Sequence, residues 1–162
     1  IRRMKELVDA ADVITPNLTE TCMLLGEECP PVMSVAQARS WLARLSDKPG
    51  IVVIKGVPLI DDDGQKLSNV GFDKESGSFW RIDWDHIPVH YPGTGDIFTS
   101  VLTASLLKGE SLPIALNRAT TFTEIAVKTT YSYGTEPRLG VLFEDCLSWL
   151  MTNTVLCDYR KL

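Results

Sequence analysis

The sequence predicts an α/β fold with an antiparallel extension, in one domain, and three observations support this prediction. Residues 51–54 form an unbroken apolar run, typical of a strand buried on both faces of a helix-covered sheet. Segments with apolar residues at helical spacing lie on both sides of that run. The chain has 162 residues, of which 44% are hydrophobic, which suits one domain with a sizeable core.

The opening segment, residues 1–8, is charged and amphipathic and lacks the apolar core of a signal peptide. It is typical of the middle of a helix, so we expect the natural N-terminus to lie further upstream. The apolar pair at 13–14 then predicts a short buried strand, which Pro16 stops.

Two helices are predicted between this strand and residue 51. Asn17 offers an N-cap with Glu20 three residues later, and Gly26 fits the end of the helix that follows. A second helix is predicted from Ser34, because apolar residues recur at spacings of three and four until Pro49.

After Gly56 the pattern changes to short alternating segments joined by turn residues. Three antiparallel strands are predicted over 57–60, 66–72 and 79–84, the first two joined by an Asp-rich turn. The rest of the chain is predicted to be helical, over 97–108, 111–131 and 141–150.

Charge and cysteine content exclude several classes of protein. The chain has a net charge of -5, and its 16 Lys and Arg residues are spread along the sequence. The sequence therefore shows no basic stripe that would bind nucleic acid. The longest apolar run is far below the roughly 20 residues that a membrane-spanning helix needs. The four cysteines have no C-x-x-C spacing and are expected to be reduced thiols: Cys22, Cys29, Cys146 and Cys157. We therefore expect a soluble, cytoplasmic protein.

The most informative segment is Gly93, Thr94, Gly95 and Asp96, directly before a predicted helix. Glycines let the backbone approach a ligand, and the first turn of a helix has unpaired amides and partial positive charge. This arrangement predicts an anion hole in which Asp96 takes a proton from an attacking hydroxyl during phosphoryl transfer. The alternative, favoured on this tetrapeptide alone, is a loop that ends in a capping aspartate.

A second group of polar residues follows predicted strands. Because ligands collect at the carboxyl ends of strands in α/β sheets, Asn17 and Glu20 are expected to face the same crevice as Asp96. Glu20 suits a hydrated Mg²⁺ ion, and Lys55 suits a nucleotide phosphate. The alternatives are an N-cap with its reciprocal partner for the first two residues, and a solvated side chain for Lys55.

Taken together and in this order, residues 11–20, 51–56 and 93–98 resemble the ribokinase-like superfamily, and within it the pyridoxal (pyridoxine, pyridoxamine) kinases. The resemblance spans nearly the whole chain. It implies a mixed, mostly parallel sheet flanked by helices with a short antiparallel extension, forming one ribokinase-like domain over 1–162. The chain matches the C-terminal, nucleotide-binding portion of these kinases, and the N-terminal part of the fold has no counterpart in it.

The resemblance also implies roles for individual residues. Asp96 matches the catalytic base that deprotonates the substrate hydroxymethyl group, and the three residues before it match the anion hole. Asn17 and Glu20 match a motif that places Mg²⁺ and phosphate, with the metal held through water. Lys55 matches a position near the ATP phosphates where relatives carry lysine, threonine or serine.

The implied function is ATP-dependent phosphorylation of the hydroxymethyl group of vitamin B6 vitamers, which yields pyridoxal 5′-phosphate. ATP and Mg²⁺ are the implied cofactors, a requirement for a monovalent cation stays open, and relatives suggest a homodimer. One alternative is a hydroxymethylpyrimidine kinase, which shares the glycine turn and a lysine like Lys55. The other is a non-catalytic fragment for nucleotide binding or oligomerisation, suggested by the missing N-terminal block.

Overall fold

The structure is a computed structural model that describes residues 2–85, 87–152 and 156–162. The chain forms two compact units. One comprises Ile1–Asp83 together with Tyr159–Leu162, and the other comprises residues 84–158.

The first unit holds three helices and a sheet. The helices are α1 (Arg2–Asp9), α2 (Leu18–Leu25) and α3 (Val35–Leu45). The strands are β1 (Val13–Ile14), β2 (Met33–Ser34), β3 (Ile51–Asp61), β4 (Gly64–Asp73), β5 (Ser78–Trp84) and β6 (Arg160–Lys161). Both predicted caps are present, since Asn17 and Ser34 each accept a hydrogen bond from the backbone of the helix that they begin.

The described strands form one mixed sheet in the order β1-β3-β4-β5-β6, with β2 also paired to β3. Strands β1 and β2 run parallel to β3, whereas β4 is antiparallel to β3 and β6 is antiparallel to β5. The predicted α/β fold with a mixed sheet flanked by helices is confirmed. Its antiparallel part is long, because β3 and β4 pair from Ile51 opposite Asp73 to Asp61 opposite Gly64.

The two strands predicted at 51–54 and 57–60 are one strand, β3. The register between β3 and β4 shifts between Ile54 and Val57, where a β-bulge absorbs the sequence Lys55-Gly56. The φ angle of Gly56 is +67°, a left-handed conformation that glycine adopts readily. The glycine that suggested a break therefore bends the strand without ending it.

The apolar core of the first unit lies between the sheet and its helices. Strand β3 contributes alternate residues on each side of the bulge, and α3 packs its apolar face on them. The fully buried members include Met33, Leu42, Val52, Ile54, Val57, Leu59 and Val70.

The second unit is helical. It contains α4 (Thr94–Leu107), α5 (Leu112–Tyr133) and two 3₁₀ helices, Pro137–Leu139 and Glu144–Met151. The segment predicted as an α-helix over 141–150 is the second 3₁₀ helix, and Cys146 is its one buried residue among those described. Since most helical stability comes from packing, this segment has little to hold it in α geometry. No helix in the described residues is both long and apolar enough to cross a membrane.

The prediction of four reduced thiols is wrong for one pair, because Cys22 and Cys29 form a disulfide. Helix α2 ends at Gly26, whose left-handed backbone (φ +70°) reverses the chain. The reversal brings the two Cα atoms to 5.6 Å, within the range that a disulfide spans. Cys146 and Cys157 are free thiols, the first buried and the second exposed.

Candidate functional site

The glycine turn in the second unit presents unpaired amides at the start of α4. Gly93 is the N-cap with φ +88°, so Thr94, Gly95 and Asp96 lie inside the first helical turn and not before it. The Gly93 carbonyl accepts hydrogen bonds from the amides of Asp96 and Ile97, both at 3.1 Å. Within the described part of the chain, the amides of Thr94 and Gly95 have no acceptor. Two donors at the positive end of a 14-residue helix are thus left for an anion.

The turn is anchored from both sides. The Thr94 hydroxyl donates to the carbonyl of Tyr91 at 3.3 Å, and Tyr91 is buried. The Thr99 hydroxyl donates to the carbonyl of Gly95 at 2.9 Å. These contacts hold the backbone that carries the two amides in place, which is the preorganisation that charge stabilisation requires.

Asp96 is the third residue of α4 and is exposed. The cap of this helix is Gly93, so Asp96 is not the capping aspartate of the alternative interpretation. Its backbone carbonyl accepts the hydroxyl of Ser100 at 2.8 Å, while its carboxylate has no hydrogen-bond partner among the described residues. A carboxylate in this position can take a proton from an incoming alcohol.

Asn17 and Glu20 form the reciprocal N-cap that the sequence allowed. The Glu20 amide donates to Oδ1 of Asn17, and the Asn17 amide donates to Oε2 of Glu20, both at 2.8 Å. The second carboxylate oxygen, Oε1, accepts no hydrogen bond within the described residues. Because Glu20 is exposed, capping and binding of a hydrated cation are compatible.

Lys55 lies beside Asn17. The two residues form an isolated parallel bridge, and the Lys55 amide donates to the carbonyl of Pro16 at 2.9 Å. The first unit therefore places Asn17, its capping partner Glu20 and Lys55 near the point where β1 ends and β3 bends. Asp96 and its glycine turn belong to the second unit.

Sequence reasoning missed Asn69. Its side chain is 6% exposed, and its Oδ1 accepts a hydrogen bond from the amide of Gly56 at 3.0 Å. No local signal pointed to it, because the partner amide is 13 residues away and meets Asn69 only through the β3–β4 pairing.

The described residues hold no group of three or more His, Cys, Asp or Glu side chains that could bind a metal directly. Mg²⁺ does not need such a group, since it usually keeps several waters and binds one or two carboxylates together with substrate phosphates. A single exposed carboxylate with one free oxygen, as at Glu20, fits that mode of binding.

The groups with clearly shifted pKa values stabilise the scaffold. Arg81 lowers the pKa of Asp61 by a hydrogen bond, and Arg118 does the same for Glu110. Hydrogen bonding to Asp83 raises the pKa of Arg160. Arg81 of β5 is 5% exposed and pairs with Asp61 at the end of β3 and with Asp83 of its own strand, so charge links β5 to the end of β3.

Comparisons with known proteins show the family to which the chain is similar. The sequence profile described as phosphomethylpyrimidine kinase matches residues 1–139. A hydroxymethylpyrimidine/phosphomethylpyrimidine kinase of Haemophilus influenzae is 30% identical over 130 residues, which are 80% of this chain and 48% of that protein.

Two solved structures extend the comparison. A candidate phosphomethylpyrimidine kinase of Bacteroides thetaiotaomicron, crystallised with pyridoxal, is 39% identical with a TM-score of 0.91, over 99% of this chain and 56% of that one. Pyridoxal kinase of Lactobacillus plantarum is 28% identical with a TM-score of 0.78, over 93% of this chain and 52% of that one. The chain spans about half the length of these relatives.

Proposed function

Because this chain belongs to the phosphomethylpyrimidine kinase family, we propose that it is the nucleotide-binding part of an ATP-dependent kinase that phosphorylates a hydroxymethyl group. The observation that carries the proposal is the turn at the start of α4. It offers two amides without an acceptor among the described residues, beside an exposed carboxylate. We further propose that residues 1–162 form one ribokinase-like domain of a cytoplasmic enzyme.

Phosphoryl transfer needs positioning and charge stabilisation more than covalent chemistry. In our proposal Asp96 accepts the proton of the substrate hydroxyl while the oxygen of that hydroxyl attacks the terminal phosphorus of ATP. The bond between this phosphorus and the bridging oxygen breaks, and ADP leaves with the electron pair. The amides of Thr94 and Gly95 stabilise negative charge on the transferred group. Gly93 supports this role through its left-handed backbone, which starts the helix at that point.

The residues of the first unit suit the phosphates and the metal. Glu20 would hold hydrated Mg²⁺ through water, and the capping box with Asn17 keeps that carboxylate in place. Lys55 contributes a positive charge toward the ATP phosphates. Bound Mg²⁺ neutralises phosphate charge; the need for a monovalent cation is left to experiment.

For the substrate we propose pyridoxal or another vitamin B6 vitamer. The pyridoxal present in the Bacteroides thetaiotaomicron structure supports this choice, since that protein is 39% identical to the chain over nearly its full length. The second candidate is hydroxymethylpyrimidine, which the family profile and the name of the Haemophilus influenzae relative favour. Both substrates present a hydroxymethyl group on a nitrogen heterocycle, so one catalytic arrangement serves either.

The test is a side-by-side assay of ADP formation with Mg²⁺-ATP and each substrate, pyridoxal, pyridoxine, pyridoxamine and hydroxymethylpyrimidine, alongside calorimetry of Mg²⁺-ATP binding. We expect binding, and turnover with a vitamin B6 vitamer. Turnover with hydroxymethylpyrimidine alone would transfer the proposal to the second candidate. Binding without any turnover would support a non-catalytic nucleotide-binding fragment, and a chain that binds no Mg²⁺-ATP would refute both proposals.

A further inference from the structure

Strand β3 has one more residue than its partner strand at the bulge. Ile54 lies opposite Val70 and Val57 lies opposite Ser68, so Lys55 and Gly56 together face a single residue of β4, Asn69. A bulge of this kind takes an amide out of the regular ladder. That amide needs another acceptor, because an unsatisfied backbone donor in a partly buried place is costly.

Asn69 supplies the acceptor. Its Oδ1 receives the Gly56 amide at 3.0 Å, and the residue is nearly buried, at 6% exposure. A side chain held this way favours the bulged form of the strand over a regular one, since a regular strand would pair Gly56 with the backbone of β4 instead.

The bulge decides which face of β3 is apolar. A slip of one residue reverses every later side chain in a strand. With the bulge, Val57 and Leu59 share the core face with Ile54, and all three are buried in the same apolar cluster. Lys55 is left at the bend, with its amide tied to the carbonyl of Pro16 at 2.9 Å and its backbone bridged to Asn17.

We infer that Asn69 is a positioning residue for Lys55: by fixing the bulge at Gly56 it sets the backbone from which the lysine binds nucleotide phosphate. This inference rests on the proposed function, in which Lys55 contacts the phosphates of ATP. Asn69 itself is assigned no contact with the nucleotide.

The experiment is a double-mutant cycle on Mg²⁺-ATP binding, measured by calorimetry. Asn69→Leu and the smaller Asn69→Ala remove the acceptor, Asn69→Asp keeps an oxygen at Oδ1, and Lys55→Met removes the charge. Ser68→Ala is the matched control, because Ser68 is the adjacent buried residue of β4. The substitution removes a side-chain hydrogen bond of 2.6 Å that Ser68 donates to Asp83. Unfolding in urea and hydrogen exchange of the Gly56 amide are measured on each variant.

We expect Lys55→Met to weaken binding about tenfold, the size of one charge-assisted contact, and the two acceptor-removing variants at position 69 to weaken it by a similar factor. In the Lys55→Met background they should add nothing, because Asn69 acts through the lysine. Asn69→Asp should restore binding, and Ser68→Ala should change stability without changing affinity. Exchange of the Gly56 amide should accelerate only when the acceptor is lost.

Four outcomes would overturn the inference. Additive losses in the double variant would mean that Asn69 does not act through Lys55, and unchanged Gly56 exchange in Asn69→Ala would mean that Asn69 does not fix the bulge. If Asn69→Ala binds Mg²⁺-ATP as tightly as the wild type while Lys55→Met binds it more weakly, the inference is refuted and the proposed function is not. Wild-type protein that binds no Mg²⁺-ATP would refute the proposed function, and the inference would fail with it, whatever the Gly56 exchange shows.

Discussion

Asn17 and Glu20 exchange two hydrogen bonds of 2.8 Å, each from the backbone amide of one residue to the side chain of the other. The bonds cap α2 and use only one oxygen of the Glu20 carboxylate. A structural role and a metal-binding role can therefore be separated by substitution, because glutamine serves in a capping box as glutamate does.

The first prediction uses that separation. Glu20→Gln keeps an acceptor for the Asn17 amide. The free energy of unfolding, measured in urea, should therefore change by less than about 0.5 kcal/mol. The substitution removes the charge that suits hydrated Mg²⁺, so the Mg²⁺ concentration for half-maximal turnover should rise. Glu20→Ala loses both the acceptor for the Asn17 amide and the negative charge. It should therefore raise the Mg²⁺ requirement as well, and its free energy of unfolding should be about 1 kcal/mol lower. An unchanged Mg²⁺ titration in Glu20→Gln would remove the proposed metal role.

The second prediction concerns the proposed base. Asp96→Asn keeps the size of the side chain and leaves the amides of the turn in place, so Mg²⁺-ATP should still bind. Turnover should fall by about a hundredfold or more, since asparagine cannot accept the proton. Calorimetry and the ADP assay measure the two effects, and Asp62→Asn, in the exposed turn between β3 and β4, is the control. Near-normal turnover in Asp96→Asn would show that another group is the base.

The caps of α2 and α3 could be predicted from sequence because a cap depends on residues three apart. Asn17 with Glu20, and Ser34 with the amide of Gln37, need no knowledge of the rest of the fold. The glycine turn was found for the same reason, although its place inside α4 depends on the left-handed Gly93.

The bulge and the disulfide could not be predicted in this way. In the sequence, Lys55 and Gly56 indicate a break between two strands. They form a bulge because Asn69 of β4 lies opposite them, and this pairing depends on tertiary structure. Cys22 and Cys29 meet only because α2 ends in a reversal at Gly26. In both cases the contact depends on how the chain folds, and patterns of periodicity and capping within a few residues cannot predict it.

The third prediction tests the disulfide between Cys22 and Cys29. Denatured, non-reduced protein should titrate two thiols, those of Cys146 and Cys157, and Cys29→Ser should lower the free energy of unfolding by about 2 kcal/mol because a short loop is no longer closed. Cys157→Ser, at an exposed free thiol, should leave stability unchanged. Four titratable thiols in the denatured protein would show that the pair is reduced.

The fourth prediction is a pH dependence from Glu110 and Arg118. The guanidinium donates to both carboxylate oxygens, at 3.1 and 2.6 Å, and its hydrogen bond lowers the pKa of Glu110 from the ordinary 4.5. The pair therefore stabilises the fold fully above that ordinary pKa, and the contribution is lost as pH falls through the lowered value.

Glu110→Gln should reduce stability at neutral pH by about 1 kcal/mol, a figure kept small because both side chains are partly solvated. Its stability should converge with that of the wild type in acid. Glu136→Gln is the control, since Glu136 pairs with Arg138 at a far more exposed place. Equal pH dependence in the wild type and Glu110→Gln would mean that the pair contributes nothing.

The last prediction compares two glycines of the second unit that share a positive φ. Gly140 has φ +80° and ψ -160°, and a Cβ there would lie 3.3 Å from the carbonyl oxygen of Pro92, directly before the turn at Gly93. Gly134 has φ +63°, and a Cβ would meet nothing within 4 Å. Both alanine variants should have a lower free energy of unfolding in urea, by about 1 kcal/mol for Gly134→Ala and about 2 kcal/mol for Gly140→Ala. Only Gly140→Ala should also weaken Mg²⁺-ATP binding, because its methyl group displaces the backbone that carries the two free amides. Equal affinity in the two variants would show that the turn does not depend on the approach of Gly140 to Pro92.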